Sequence, residues 1–180
     1  VAGSGAGDLF VAGAGNHAID GGSGIDTVLY RGAKSAFALG LGADGFHVAD
    51  HAGTGGADTL RNVERLVVDD GNVALDIDGT AGQAYRLYQA AFDRAPDPDG
   101  LAFWIGAMDG GIKLQEVARN FLASAEFTGR HGQMTDAGFL DVLYGHVLHR
   151  APDAAGFQFW LGALQVHHVA RADVLAQFSE

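Results

Sequence analysis

Residues 3–29 read GSGAGDLFV AGAGNHAID GGSGIDTVL, three abutting nonapeptides in one register. Their shared pattern is G-G-x-G-x-D-x-U-x, where U is a large apolar residue. The third copy, 21–29, fits throughout. The first carries Ala6 in place of a pattern glycine; the second opens on Ala12 and has His17 in place of Asp. A detached fourth copy, GTGGADTLR, occupies 53–61. The spacing has a direct physical reading. Six Gly-rich residues can turn tightly, because Gly takes φ > 0 without steric cost. The last three form a very short strand whose U side chain points inward: Phe10, Ile19, Val28 and Leu60. A Gly-rich linker with scattered Asp would not keep three copies in register and repeat the pattern in a detached fourth.

The pattern resembles the calcium-binding repeat of the RTX family of secreted proteins. That resemblance implies a parallel β-roll in which each nonapeptide is half of one coil. Copies one and three then stack on one edge, and copy two lies on the other. Asp8 and Asp26, 18 residues apart, fall one full coil apart. Parallel strands sit about 4.8 Å apart. Two carboxylates and several Gly carbonyls can thus surround one hard cation at about 2.3–2.6 Å. The expected calcium site is Asp8 and Asp26 with Gly3, Gly5, Gly21 and Ser23 of the same turns. His17 falls on the opposite edge and should leave that edge poor in calcium. By the same resemblance Asp58 and Glu64 are secondary calcium candidates, weighed against being plain surface carboxylates.

Residues 30–79 continue as β structure. GLGADGFHVAD (40–50) predicts a hairpin turning at Asp44-Gly45, and 58–77 a second one turning at Asp70-Gly71. This stretch looks like the non-repetitive cap that closes such rolls. Gly40 to Gly45 also matches G-x-G-x-x-G, but a strand follows it where a dinucleotide site needs a helix.

After residue 80 another repeat appears. YRLYQAAFDRAPDPDGLAFWIGAM (85–108) aligns with FLDVLYGHVLHRAPDAAGFQFWLGAL (139–164) when Arg94 is set on Arg150. Tyr88 then meets Tyr144, Pro96-Asp97 meets Pro152-Asp153, Gly100 meets Gly156, and Phe103-Trp104 meets Phe159-Trp160. Apolar residues at helical spacing before and after each Pro-Asp predict helix, turn, helix, with Asp97 and Asp153 as N-caps. Further helices are predicted near 113–128 and 170–180. This part resembles an uncharacterised all-helical family that accompanies RTX repeats. It is distantly similar to the linker domain of phycobilisomes, the cyanobacterial light-harvesting assemblies. The resemblance implies no activity, only association with cell-surface and extracellular proteins. Trp104 and Trp160 are expected in the core; the alternative is a glycan-stacking platform with Phe103 and Phe159.

Cysteine is absent, so a secreted chain of this kind needs another source of stability, and a metal ion is the obvious one. The net charge of −11 argues against nucleic acid and anionic membrane as partners. No apolar run approaches the roughly 20 residues of a membrane span. The chain opens inside the Gly-rich pattern, as expected of a piece of a longer protein. H-E-x-x-H and G-x-S-x-G do not occur, and there is no cysteine nucleophile. His146 and His149 could share a helix face, but zinc needs more ligands. Asp97 to Gly100 echoes an EF-hand loop without its closing Glu, and helix capping explains it better.

The fold class expected is α+β in two parts. A short parallel β-roll with a β-hairpin cap fills 1–79, and an all-α duplicated helical module fills 80–180, with units of about 82–129 and 135–180. The expected function is a non-catalytic, calcium-binding structural or binding module of a larger secreted bacterial protein, extracellular or on the cell surface. It would attach to a surface, a glycan or a protein partner, with Ca2+ as its cofactor. The alternative is the accessory region of a secreted RTX protease, lipase or epimerase whose catalytic domain lies upstream.

Overall fold

The computed structural model describes residues 1–53 and 55–180; Thr54, within the fourth nonapeptide, lies outside the described residues. The chain divides into two compact units, Val1–Gly79 and Thr80–Glu180.

The first unit carries small sheets. Its strands are β1 (Leu9–Val11), β2 (Ala18–Asp20), β3 (Thr27–Leu29), β4 (Phe37–Gly42), β5 (Gly45–Asp50), β6 (Ala57–Arg61), β7 (Arg65–Val68) and β8 (Gly71–Ala74). The first three are the x-U-x endings of the three abutting nonapeptides. One sheet has the order β1-β3-β7-β8 and the other β2-β6-β5-β4. Pairing is parallel where nonapeptides meet, Phe10 opposite Val28 and Ile19 opposite Leu60, and again where β3 meets β7, Val28 opposite Leu66. Each Gly-rich turn therefore carries the chain across to the other sheet. The U side chains line up between the sheets, where Ile19, Val28, Leu60 and Leu66 are buried with Tyr30, Val48 and Val68. Full burial of each such aliphatic stabilises by about 1.5–3 kcal/mol.

Two expectations for 30–79 are corrected. The β4–β5 hairpin turns at Ala43-Asp44, one residue early, because Gly42 pairs with Gly45. Gly45 belongs to the strand, at φ 129°, and a Cβ there would collide with the Leu60 carbonyl. The stretch 58–77 is not one hairpin. β6 runs parallel to β2 in one sheet, while β7 and β8 form the hairpin of the other, turning at Asp69-Asp70. The chain changes sheets at Asn62, which is left-handed at φ 50°. Asn tolerates that region better than most residues.

The second unit is helical: α1 (Thr80–Phe92), α2 (Pro98–Asp109), α3 (Leu114–Ala123), α4 (Ala125–His131), α5 (Asp136–Leu148), α6 (Ala154–Gln165) and α7 (Arg171–Phe178). Helices α1 and α5 each have 13 residues, and α2 and α6 each have 12. Each pair starts 56 residues apart, Thr80 with Asp136 and Pro98 with Ala154. The predicted helix over 113–128 breaks at Ser124, whose hydroxyl caps α4 by accepting from Phe127 N at 3.1 Å.

Packing explains the duplicated signature. Asp97 accepts from Gly100 N at 2.7 Å and Asp153 from Gly156 N at 2.9 Å, the N-cap bond in both copies. The two glycines admit a tyrosine: a Cβ on either would lie 2.5 Å from the hydroxyl of Tyr88 or Tyr144. Arg94 and Arg150 lie over those same rings at 5.5 and 5.6 Å. Asp93 and His149 end α1 and α5 in the left-handed region. Leu87, Val117, Phe139, Leu140, Leu143, Val174 and Leu175 are buried in one core. Among the described residues no helix is long and apolar enough to cross a membrane.

Candidate metal centre

Turns 3–8 and 21–26 lie on one edge of the first unit, one above the other, and the chain segment 62–64 forms the next layer. Backbone bonds hold the layers: Gly21 N donates to Arg61 O at 2.9 Å, and Ser23 N to Ser4 O at 3.3 Å. Within the first turn, Asp8 Oδ2 accepts from Ser4 N at 2.6 Å and from Ser4 Oγ at 2.9 Å. The stacking is tight enough to require glycine. A Cβ on Gly3 would collide with Gly21 O and lie 2.8 Å from Asp8 Oδ2, so those two oxygens converge beside Gly3. One layer on, a Cβ on Gly21 would collide with Asn62 O and lie 2.6 Å from Asp26 Oδ2. The same pair of oxygens, one carboxylate and one carbonyl, thus recurs.

Asp26 is 0% exposed. Its Oδ1 accepts from Asp8 N at 2.7 Å, and its own N–H donates to Glu64 Oε2 at 2.8 Å. Its Oδ2 is buried without a hydrogen-bond partner. Asp8, Asp26 and Glu64 therefore form one column, in which each acid accepts from the N–H of the acid before it. The structure brings Asp8, Asp26, Gly3 and Gly21 together and places Ser23 in the stack. Nothing approaches Gly5. The two oxygens of Asp26 differ in their surroundings. Because Asp26 Oδ1 is held by Asp8 N, its free oxygen faces Gly21 and Asn62, toward the third layer.

The opposite edge offers an internal comparison. Asp58 stacks on His17 and is 3% exposed. Its Oδ1 accepts from His17 N at 2.8 Å and lies 2.9 Å from His17 Nδ1; its Oδ2 accepts from Tyr30 Oη at 2.7 Å. Burial, then the bond and charge of Asp58, push the Tyr30 phenol well above its usual range. Both oxygens of Asp58 thus have partners within the chain. Two acids at the same pattern position thus differ sharply. Asp58 has an imidazole, a phenol and an N–H; Asp26 has one N–H. A buried carboxylate without a counter-charge costs several kcal/mol.

The donors around Asp26 Oδ2 and Asp8 Oδ2 are carboxylate and carbonyl oxygens, which suit a hard divalent cation such as Ca2+. Among the described residues no group of three or more His, Cys, Asp or Glu could hold a metal. A cation here must draw on backbone carbonyls as well. Sequence reasoning passed over Asn62 and Tyr30. Asn62 left one trace, an Asn directly after the fourth nonapeptide; Tyr30 left none.

In the second unit Trp104 and Trp160 are only half-buried, less than core residues would be. Each meets a core ring edge-on or tilted, Phe121 at 5.5 Å and Phe178 at 5.2 Å. Their neighbours Phe103 and Phe159 are 65% and 68% exposed and stand edge-on to them at 5.0 and 5.1 Å. His146 Nδ1 lies 3.0 Å from Ala90 O. His131 Nε2 is buried without a partner. Burial, then the charges of His146 and Arg130, lower its pKa.

No match is found among curated proteins. Among solved structures, the extracellular lipase LipA from Serratia marcescens is similar at 17% identity with a TM-score of 0.31. That likeness covers 39% of this chain and 15% of the lipase, so the chain spans a small part of that protein's length. The helical residues match the family described as Domain of unknown function (DUF4214) in two overlapping stretches, 81–130 and 118–180. These stretches cover more than half of the chain, which belongs to the DUF4214 family.

Proposed function

We propose that the chain is a calcium-folded, non-catalytic module of a larger secreted bacterial protein. In this reading the first unit is a short β-roll closed by two hairpins, and the helical unit is the part that binds or spaces. The observation that carries calcium is Asp26, a wholly buried carboxylate with one oxygen unpartnered, where its counterpart Asp58 is fully supplied. A divalent cation would give the free oxygen of Asp26 a partner, as the chain gives partners to both oxygens of Asp58. Extracellular calcium modules bind at about 10⁻⁴–10⁻³ M. Such a unit would fold outside the cell and stay loose inside it.

For the helical unit the reading is attachment, to a cell-surface glycan or a protein partner. Its support is duplication: both copies present the same exposed Phe backed by the same Trp. An active site usually needs unlike groups with pKa values pushed apart.

Chelation tests the proposal. In the full chain, calcium removal should reduce the strand signal in circular dichroism and leave the helical signal in place, since each unit has its own apolar core. Calorimetry showing no calcium binding would overturn the reading.

A further inference from the structure

We propose that the Asp8–Asp26–Glu64 edge holds two divalent cations, the second of them between turn 21–26 and the three-residue segment 62–64. This rests on the calcium reading above. The segment 62–64 is Asn-Val-Glu, with no glycine and half the length of a nonapeptide turn, so the repeat pattern assigns it no ion.

Its geometry nonetheless reproduces the layer below. The Asn62 carbonyl stands beside Gly21 as the Gly21 carbonyl stands beside Gly3. The left-handed φ of 50° at Asn62 is part of that placement. Its side chain is tied elsewhere, Nδ2 donating to Asp20 Oδ1 at 2.7 Å, so the backbone oxygen is what the residue presents. Glu64 stands where Asp26 stands one layer down. Its longer arm suits the shorter turn and still reaches Asp26 N at 2.8 Å. The unpartnered Asp26 Oδ2 and the Asn62 carbonyl both come up beside Gly21.

Among the described residues the arginine next in sequence is engaged with groups other than Asp26. Arg65 follows Glu64, but its Nη1 donates to Glu64 O and to Asp76 Oδ1, and that ion pair is nearly buried. The first cation sits beside Asp8 Oδ2 and Gly21 O, the second beside Asp26 Oδ2, Asn62 O and Glu64. The second would also fasten the start of β7, and with it the β7–β8 hairpin, onto β3.

Native mass spectrometry of the full chain in calcium, with calorimetric stoichiometry, tests this. The parent should hold two ions. Glu64→Gln, which keeps an acceptor for Asp26 N, should hold one, and so should Asp8→Asn; the double variant should hold none. Far-UV spectra in calcium matching the parent's would show that the variants fold. Two ions retained by Glu64→Gln would overturn the inference, as would loss of both ions in Asp8→Asn. A parent that binds no calcium would instead overturn the calcium reading itself.

Discussion

Asp26→Asn should change stability in opposite directions with and without calcium. In chelator the parent buries a carboxylate, 0% exposed, with one hydrogen bond and no counter-charge. Asn is its isostere. Its Oδ1 still accepts from Asp8 N, and its Nδ2 takes the place of Oδ2, facing Asn62 O. A lone oxygen becomes a donor to a carbonyl, a net gain of about 1 kcal/mol. Removing the buried charge adds to this, since such a charge costs several kcal/mol when uncompensated. The variant should be about 1–3 kcal/mol more stable than the parent in chelator. For a unit of this size each kcal/mol moves the melting temperature by about 4–8 °C. In calcium the parent gains RT ln(1 + [Ca]/Kd) for each ion that Asp26 holds, about 2.7 kcal/mol at 100 times Kd. The variant forgoes most of that and should be the less stable of the two. Urea and thermal unfolding of both proteins, followed through the strand signal in EDTA and in calcium, gives the four numbers. A variant destabilised in both conditions would show that the carboxylate is satisfied without a metal and would refute the reasoning.

His131 should make the helical unit acid-sensitive. Burial, with His146 and Arg130, holds its folded pKa below the unfolded value of about 6.5. The unfolded chain then binds more protons, so stability is full above about pH 6.5 and is lost as pH falls toward the folded value. His131→Leu should lose less melting temperature than the parent between pH 7.5 and 5.5, and an equal loss would sink the assignment. Gly162→Ala should stabilise by up to about 1 kcal/mol, since a Cβ there meets nothing. Gly156→Ala should cost about 1–3 kcal/mol by overpacking on Tyr144; denaturation midpoints that move the same way would contradict this. Trp160→Ala should cost about 2–3 kcal/mol, below the roughly 3–5 of a wholly buried aromatic. Phe159→Ala should stay within about 0.5 kcal/mol, and comparable losses in thermal melts would mean that Phe159 serves packing rather than a partner.

What was legible in the sequence was whatever repeats locally. The x-U-x triplets became β1, β2 and β3, because a fixed period of nine keeps each U residue facing one interior. Pro, Asp, Gly and Trp in fixed order set the helix boundaries twice, each by a local device: a break, a cap, a close approach, a ring contact. What was not legible depends on stacking between distant residues. Gly45 and Gly71 read as turn residues, yet each opens its return strand, Gly45 against the Leu60 carbonyl. The half-burial of Trp104 follows from where Phe121 lies, which no spacing within α2 records. The Asp8–Asp26–Glu64 edge makes the point most sharply. Asp26-Thr27 and Asp58-Thr59 are the same dipeptide at the same place in the nonapeptide, and both acids are buried. Asp58 rests on His17, 41 residues away, and receives an imidazole nitrogen; Asp26 rests beneath Asn62 and Glu64 and receives none. The nonapeptide places a buried carboxylate at Asp26 and at Asp58, but the neighbouring layers decide which partners its oxygens find. Reading such a repeat for metal sites therefore requires knowing which turns are neighbours in space, and here one neighbour is a three-residue segment outside every copy.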